Sequence, residues 1–167
     1  GAVGTDALGA DPRAFQELVV RTYGQRGLPT PVAWAIMREE SSFMPEVKSP
    51  SAAYGLMQLI VPTAKWMAQG TALTIDEAQL KKPEVSVDLG VKLLAFLRGK
   101  HVHPALAVGA YNGGSGAVDR WMSSRTTDDL DLFVELVPWE ETRNYVKRVL
   151  STQAAYAAPL ILLAQNR

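Results

Sequence analysis

The chain has 167 residues and a mass of 18.1 kDa, which fits one domain of ordinary size. Lys plus Arg number 17 and Asp plus Glu number 17, and this zero balance removes the electrostatic footprint of a phosphate-backbone binder or a protein docked on an anionic bilayer. Disorder is excluded by 47% hydrophobic against 20% charged residues, and the absence of Cys excludes a disulfide framework, a thiolate nucleophile and a Cys-bound metal.

Residues 1–10 read as a tail, and the start at Gly1 without a signal segment reads as a chain processed or cut from something longer. Residues 11–167 read as the folded domain. Asp11-Pro12 gives an N-cap followed by Pro in the first turn. Gly27 stops the helix that carries Phe15, Leu18, Val19 and Tyr23. Thr30-Pro31 repeats the start signal for a helix running to Ser41. The stretch from Ser49 to Ile60 holds at most a short hairpin. Pro62 opens a third helix, stopped near Gly70, and Thr74 with Glu77 has capping-box spacing before a short one. Pro83 opens an amphipathic helix in which Val85, Leu89, Leu93 and Phe96 share a stripe. His103-Pro104 to Asn112 reads as another helix, closed by Gly113-Gly114. The last begins near Trp139, turns Tyr145, Val146, Val149 and Leu150 inward, and is bent or ended by Pro159. The longest apolar stretch, Ala154 to Ala164, is too short to cross a bilayer. The predicted class is mainly α.

Candidate chemistry narrows quickly. His101 and His103 lie two apart beside Pro104, which suits neither a zinc helix nor a catalytic triad and reads as a solvated turn. Gly113-Gly114-Ser115-Gly116 lacks the Lys and the preceding strand of a phosphate loop, and reads as a helix C-cap. Carboxylates remain. Successive helical residues lie about 100° apart, which puts Val32, Ala33, Ile36 and Met37 on one apolar stripe with Glu40 near its centre. Glu39 falls at the edge of the stripe, towards solvent, and Arg38 opposite.

A carboxyl group on a core-facing stripe loses hydration, which raises its pKa and suits it to general-acid work. The plainer alternative is a helix-end Glu that turns to water or caps nearby backbone, and periodicity alone leaves both open. Tyr111-Asn112 at a glycine turn offers a ring for stacking on a sugar and an amide for hydrogen-bonding it. Taken singly, the Tyr suits packing and the Asn a cap.

These blocks resemble the catalytic domain of the soluble lytic transglycosylases, the family-1 enzymes of the goose-type lysozyme-like superfamily. The likeness begins with Ala35-Ile36-Met37-Arg38-Glu39-Glu40-Ser41 and continues through Lys48-Ser49-Pro50, Gly55-Leu56-Met57-Gln58 and Pro62-Thr63-Ala64. Leu89-Gly90-Val91, Ala110-Tyr111-Asn112-Gly113-Gly114, and Val137-Pro138 with Glu141-Thr142-Arg143-Asn144-Tyr145-Val146 complete it. The ordered blocks run from about Phe15 to Leu150.

The resemblance implies a helical lysozyme-like domain with at most a small β-hairpin. It also implies cleavage of the β-1,4 bond between N-acetylmuramic acid and N-acetylglucosamine in peptidoglycan, leaving 1,6-anhydromuramyl ends. Glu40 matches the family's single acid/base. Ser49, Gln58, Ile60, Ala110, Tyr111, Asn112, Glu141 and Tyr145 match positions that line its saccharide groove. It further implies no metal or cofactor, no nucleic acid, glycan strands as partner, a monomer, and a place in the bacterial periplasm or cell envelope. Four departures stand out: Ala52 for a common Gly, Tyr54 for a small residue, Ile60 for Met and Ser86 for Asn. The competing readings are a hydrolase of the same fold with Glu46 or Glu141 as second carboxylate, and a glycan-binding module without turnover.

Overall fold

The computed structural model describes residues 16–24, 30–101, 103–114, 116, 119–120 and 140–165. The proposed tail, the Asp11-Pro12 start signal and the Gly27 stop lie outside them. The ordered elements are α1 (Gln16–Gly24), α2 (Thr30–Ser41), β1 (Ala53–Tyr54), β2 (Leu59–Ile60), α3 (Val61–Met67), α4 (Glu77–Leu80), α5 (Pro83–Lys100), α6 (Pro104–Gly113) and α7 (Glu140–Gln165). The chain divides into two compact units, Gly1–Leu93 and Leu94–Arg167, with the boundary inside α5.

In the first unit α1 lies against α2, and the core draws on Val19, Val32, Ala33, Ala35, Ile36 and Met37. The strands pair antiparallel as a two-stranded hairpin, Ala53 opposite Ile60 and Tyr54 opposite Leu59. Pro62 sits in the first turn of α3, where its missing N–H costs nothing. The cap of α4 is Asp76 and not Thr74. Its Oδ1 accepts from the Gln79 N–H at 2.8 Å, because Glu77 is already the first helical residue and Gln79 the third.

Helix α5 corrects the single predicted stripe. Its first half is enclosed nearly all round, with Val85, Ser86, Val87, Leu89, Gly90 and Val91 buried. Burial then passes to Leu94 and Leu97, while Leu93 is half-buried and Phe96 is 45% exposed. A helix covered on most sides has no one stripe for periodicity to find. Gly90 faces Met57 so closely that a Cβ there would stand 2.6 Å from the Met57 Cβ and Cγ. The absent side chain lets the loop between the strands reach the helix.

The second unit packs α6 on α7. Every residue from Ala105 to Ala110 is buried, as are Tyr145, Val146 and Val149, whereas Leu150 is only half-buried. Helix α7 does not end at Pro159 but runs on to Gln165. His103 is exposed and caps α6, its Nδ1 accepting from the Ala105 N–H at 3.2 Å. His101 is not solvated: it is 5% exposed. It lies at the end of α5, where its own N–H still donates to the Leu97 carbonyl and holds the residue in helical register. No described helix is long and apolar enough to cross a membrane.

Two outcomes follow from this packing. Gly90→Ala is expected to lower stability in a denaturant titration by about 1–3 kcal/mol through overpacking against Met57. It does so although Ala is the better helix former by about 1 kcal/mol, and an unchanged midpoint would contradict the close approach. Burial, the larger influence, lowers the His101 pKa from 6.5, with Asp119 opposing it and Lys100 adding to it. The unfolded chain therefore binds this proton more readily than the folded one. The resulting stability is present above pH 6.5 and drains away as pH falls below it. Acidification should lower the denaturation midpoint of wild type more than that of His101→Gln.

Candidate functional site

Glu40 occupies the last turn of α2 and is half-buried. Glu39 is half-buried too, not turned to solvent as its position at the stripe edge predicted. It lies one turn beyond the fully buried Ala35, so the covered face of α2 is wider than the four-residue stripe. Arg38 is exposed as expected. Ser41 ends the helix and is buried. Its hydroxyl lies 3.0 Å from the Met37 carbonyl and 2.9 Å from the Leu56 carbonyl. One proton serves two acceptors, and the turn that carries Glu40 is tied to the hairpin loop.

That loop is built around Gly55, whose φ of 81° is a left-handed conformation. A Cβ at Gly55 would collide with the Leu80 carbonyl. Leu56 and Met57 are fully buried, and the Ser86 hydroxyl accepts from the Met57 N–H at 3.0 Å. Gln58 donates its side-chain amide hydrogens to the carbonyls of Val47, at 3.1 Å, and Gly55, at 2.9 Å. The Ser49 hydroxyl accepts from the Ala53 N–H at 3.1 Å, and so serves the hairpin first. Ile60 ends β2 and is exposed.

Four non-glycine residues have positive φ among the described residues: Ser42 at 51°, Phe43 at 61°, Ala52 at 59° and Gln58 at 50°. All lie between Glu40 and β2. Left-handed backbone at side-chain-bearing residues costs about 1–2 kcal/mol each, and such strain clusters at functional sites.

The second unit holds the other group. Tyr111 and Asn112 are half-buried at the end of α6, and Ala110 is buried behind them. The Thr142 hydroxyl donates to the Asn112 side-chain carbonyl at 3.0 Å. Gly113 makes room for it, since a Cβ there would stand 2.9 Å from Thr142 Oγ1. Glu141 is exposed and Tyr145 is buried, so Tyr145 is not a surface group. Of the residues named together from sequence, the structure places Ser49, Gln58 and Ile60 on one hairpin tied to the Glu40 turn, and Ala110, Tyr111 and Asn112 beside the start of α7. Sequence reasoning missed the buried hydroxyls of Ser41, Ser86 and Thr142 as the ties. A Ser or Thr within a motif otherwise apolar or glycine-led was the available signal.

A mainly helical domain with a small hairpin beside a helix-end glutamate has the lysozyme-like architecture found in solved lytic transglycosylases. The chain belongs to the Transglycosylase SLT domain family, which matches residues 18–134. It is 35% identical over 149 residues to the soluble lytic murein transglycosylase of Escherichia coli strain K12, covering 87% of this chain and 23% of that protein. Over 171 residues it is 30% identical to the membrane-bound lytic murein transglycosylase C of Edwardsiella ictaluri, covering 87% of this chain and 48% of that one. Among solved structures, the 70 kDa soluble lytic transglycosylase of Escherichia coli matches with a TM-score of 0.84 and 34% identity, over 89% of this chain and 25% of that one. An inactive Glu-to-Gln mutant of lytic transglycosylase Slt from Pseudomonas aeruginosa matches with a TM-score of 0.82, at the same identity and coverage. The chain spans about a quarter of the length of the soluble relatives.

Removing the Ser41 hydroxyl leaves the Leu56 carbonyl without this donor. Ser41→Ala is expected to cost about 1–3 kcal/mol by urea denaturation, the usual penalty for a buried polar group left unpaired. Ser41→Thr, which keeps the hydroxyl, should recover most of it, and equal losses in both variants would show that the tie carries no stability.

Proposed function

We propose that this domain is a lytic transglycosylase that cleaves the MurNAc–GlcNAc β-1,4 bond of peptidoglycan and leaves 1,6-anhydromuramyl ends. The observation that carries this reading is the half-buried Glu40 on a helix turn clamped to the Gln58 loop, in a chain of the SLT family. The clamp fixes where the carboxyl proton is delivered. Protonated Glu40 gives its proton to the leaving glycosidic oxygen while the muramyl ring gains oxocarbenium character. The ring's acetamido oxygen stabilises that cation from within, as in substrate-assisted glycosidases, so no second carboxylate is required. Glu40, now a carboxylate, takes the proton from the C6 hydroxyl as that oxygen closes on C1. The attached nucleophile replaces water with an entropic advantage.

In this reading Gln58, Ser49 and Ile60 bind one stretch of glycan, and Tyr111, Asn112 and Glu141 another, with Ala110 and Tyr145 as walls behind. The proposed partner is a peptidoglycan strand, met by a monomer in the periplasm or cell envelope, and the scheme calls for no metal or cofactor. Glu46, a possible second carboxylate for a hydrolase, has an 81% exposed side chain and pairs with Lys81 at 3.8 Å. Glu141 is exposed as well. Neither shares the enclosure of Glu40.

Mass spectrometry of digested sacculi tests the chemistry, because an anhydro end is one water lighter than a reducing end. Anhydro ends are expected, and a digest holding only reducing ends would replace the proposal with a hydrolase. Glu40→Gln should keep binding to sacculi and lose cleavage by about 100-fold or more, the worth of a general acid. If wild type binds sacculi yet releases no soluble muropeptides, the domain is a binding module.

A further inference from the structure

Tyr54 stands where the family pattern has a small residue, and its side chain is buried in β1. Opposite it, Lys48 forms an isolated antiparallel bridge, which puts the two side chains on one face of the hairpin. The Lys48 ammonium lies 5.3 Å from the centroid of the Tyr54 ring. A lysine seated over an aromatic face has lost much of its rotamer freedom while its charge stays wet, and Lys48 is exposed. No described carboxylate pairs with it. Glu46, two residues away, is drawn instead to Lys81. The flanking residues are tied to the groove loop: the Val47 carbonyl holds the Gln58 amide at 3.1 Å, and Ser49 bonds to Ala53. A positive charge seated over a ring, and paired with no described carboxylate, therefore sits on the hairpin that carries Ser49 and Gln58.

We propose that Lys48, oriented by Tyr54, is a specificity-determining residue that binds a carboxylate on the lactyl branch of the muramyl unit. This rests on the glycan-cleaving reading above and names the part of the substrate that the hairpin selects. Two sources offer that carboxylate: the lactyl group itself where the stem peptide is absent, and the acidic residues of the stem where it is present. The chain has no net charge, so recognition of an anionic branch has to be local. An exposed ion pair of this kind is worth about a two- to fivefold change in affinity once the lysine is held in place.

The test compares cleavage of three glycan preparations: stems intact, stems with carboxyl groups amidated, and stems removed so that each muramyl unit ends in a free lactyl carboxylate. Wild type should show a KM about two- to fivefold lower on a carboxylate-bearing form than on the amidated one. Lys48→Met should remove that difference, with the loss appearing in KM, and Lys48→Arg should retain it. An advantage with denuded strands assigns the lactyl carboxylate, and one confined to intact strands assigns the stem. The proposal is overturned if wild type treats charged and amidated strands alike, or if Lys48→Met discriminates as wild type does. The same preparations titrated for binding against Glu40→Gln, with and without Lys48→Met, read the contribution of Lys48 without turnover. A chain that discriminates in binding but cleaves nothing overturns the catalytic reading and leaves this one standing.

Discussion

The first unit depends on how closely the Gly55–Gln58 loop presses onto its neighbours. Gly55 turns beneath the Leu80 carbonyl, where no side chain fits, and Met57 fills the space that Gly90 leaves on α5. The Ser86 hydroxyl meets the Met57 N–H, so this backbone donor is satisfied where the loop is buried. From that anchor the placement of the site unfolds outward. Leu56 presents its carbonyl to Ser41, Ser41 holds the last turn of α2, and that turn carries Glu40. In the other direction Gln58 is pinned by Val47 and Gly55. Glu40 and the Gln58 amide are thus both positioned from one buried packing event.

This arrangement has a conformational cost, and its distribution is informative. Ser42, Phe43, Ala52 and Gln58 all take left-handed backbone without being glycine. Phe43 is repaid by burial and Gln58 by its two amide hydrogen bonds. Ala52 is exposed and has no such return beyond the turn bond from its N–H to the Ser49 carbonyl. A glycine would adopt its φ of 59° freely, which gives a physical reason for the glycine common there in the resembling family. The neighbouring departure, Tyr54, adds buried ring surface to the same hairpin.

Much of this was legible in the residues, for reasons that can be stated. Pro31, Pro62 and Pro104 mark helix starts because proline suits a first turn, and each helix begins there. Glu40 was marked by its angle from Ile36 and Met37, which survives small errors in helix ends. Gly55 and Gly90 were visible as motif glycines, but the sequence cannot say which carbonyl or side chain each one admits. His101 looked like half of a surface pair because spacing carries no information about tertiary cover, and only His103 is outside. Glu39 was misplaced because a single stripe understates a helix enclosed on a wide arc. Phe96 failed in the opposite sense, its hydrophobicity being spent at the surface.

The two units use the same device with different residues. In the first, Gly90 admits Met57 while a serine hydroxyl binds the loop. In the second, Gly113 admits Thr142, whose hydroxyl binds Asn112. In each case a missing Cβ brings two chain segments closer than side chains allow, and a buried hydroxyl converts the approach into a fixed direction. A hydroxyl suits this task because it can accept, as Ser86 does, or donate, as Thr142 does, without bringing charge into a buried place, so its burial costs far less than that of a carboxylate or an ammonium. In the proposed reading the acting charges are held differently. Glu40 is half-buried at a helix end, and Lys48 is exposed over a ring. The neutral scaffold explains how a chain with no net charge can still direct individual charges: polar ties of no charge hold the backbone, and each ionisable group is left to the chemistry of its own position.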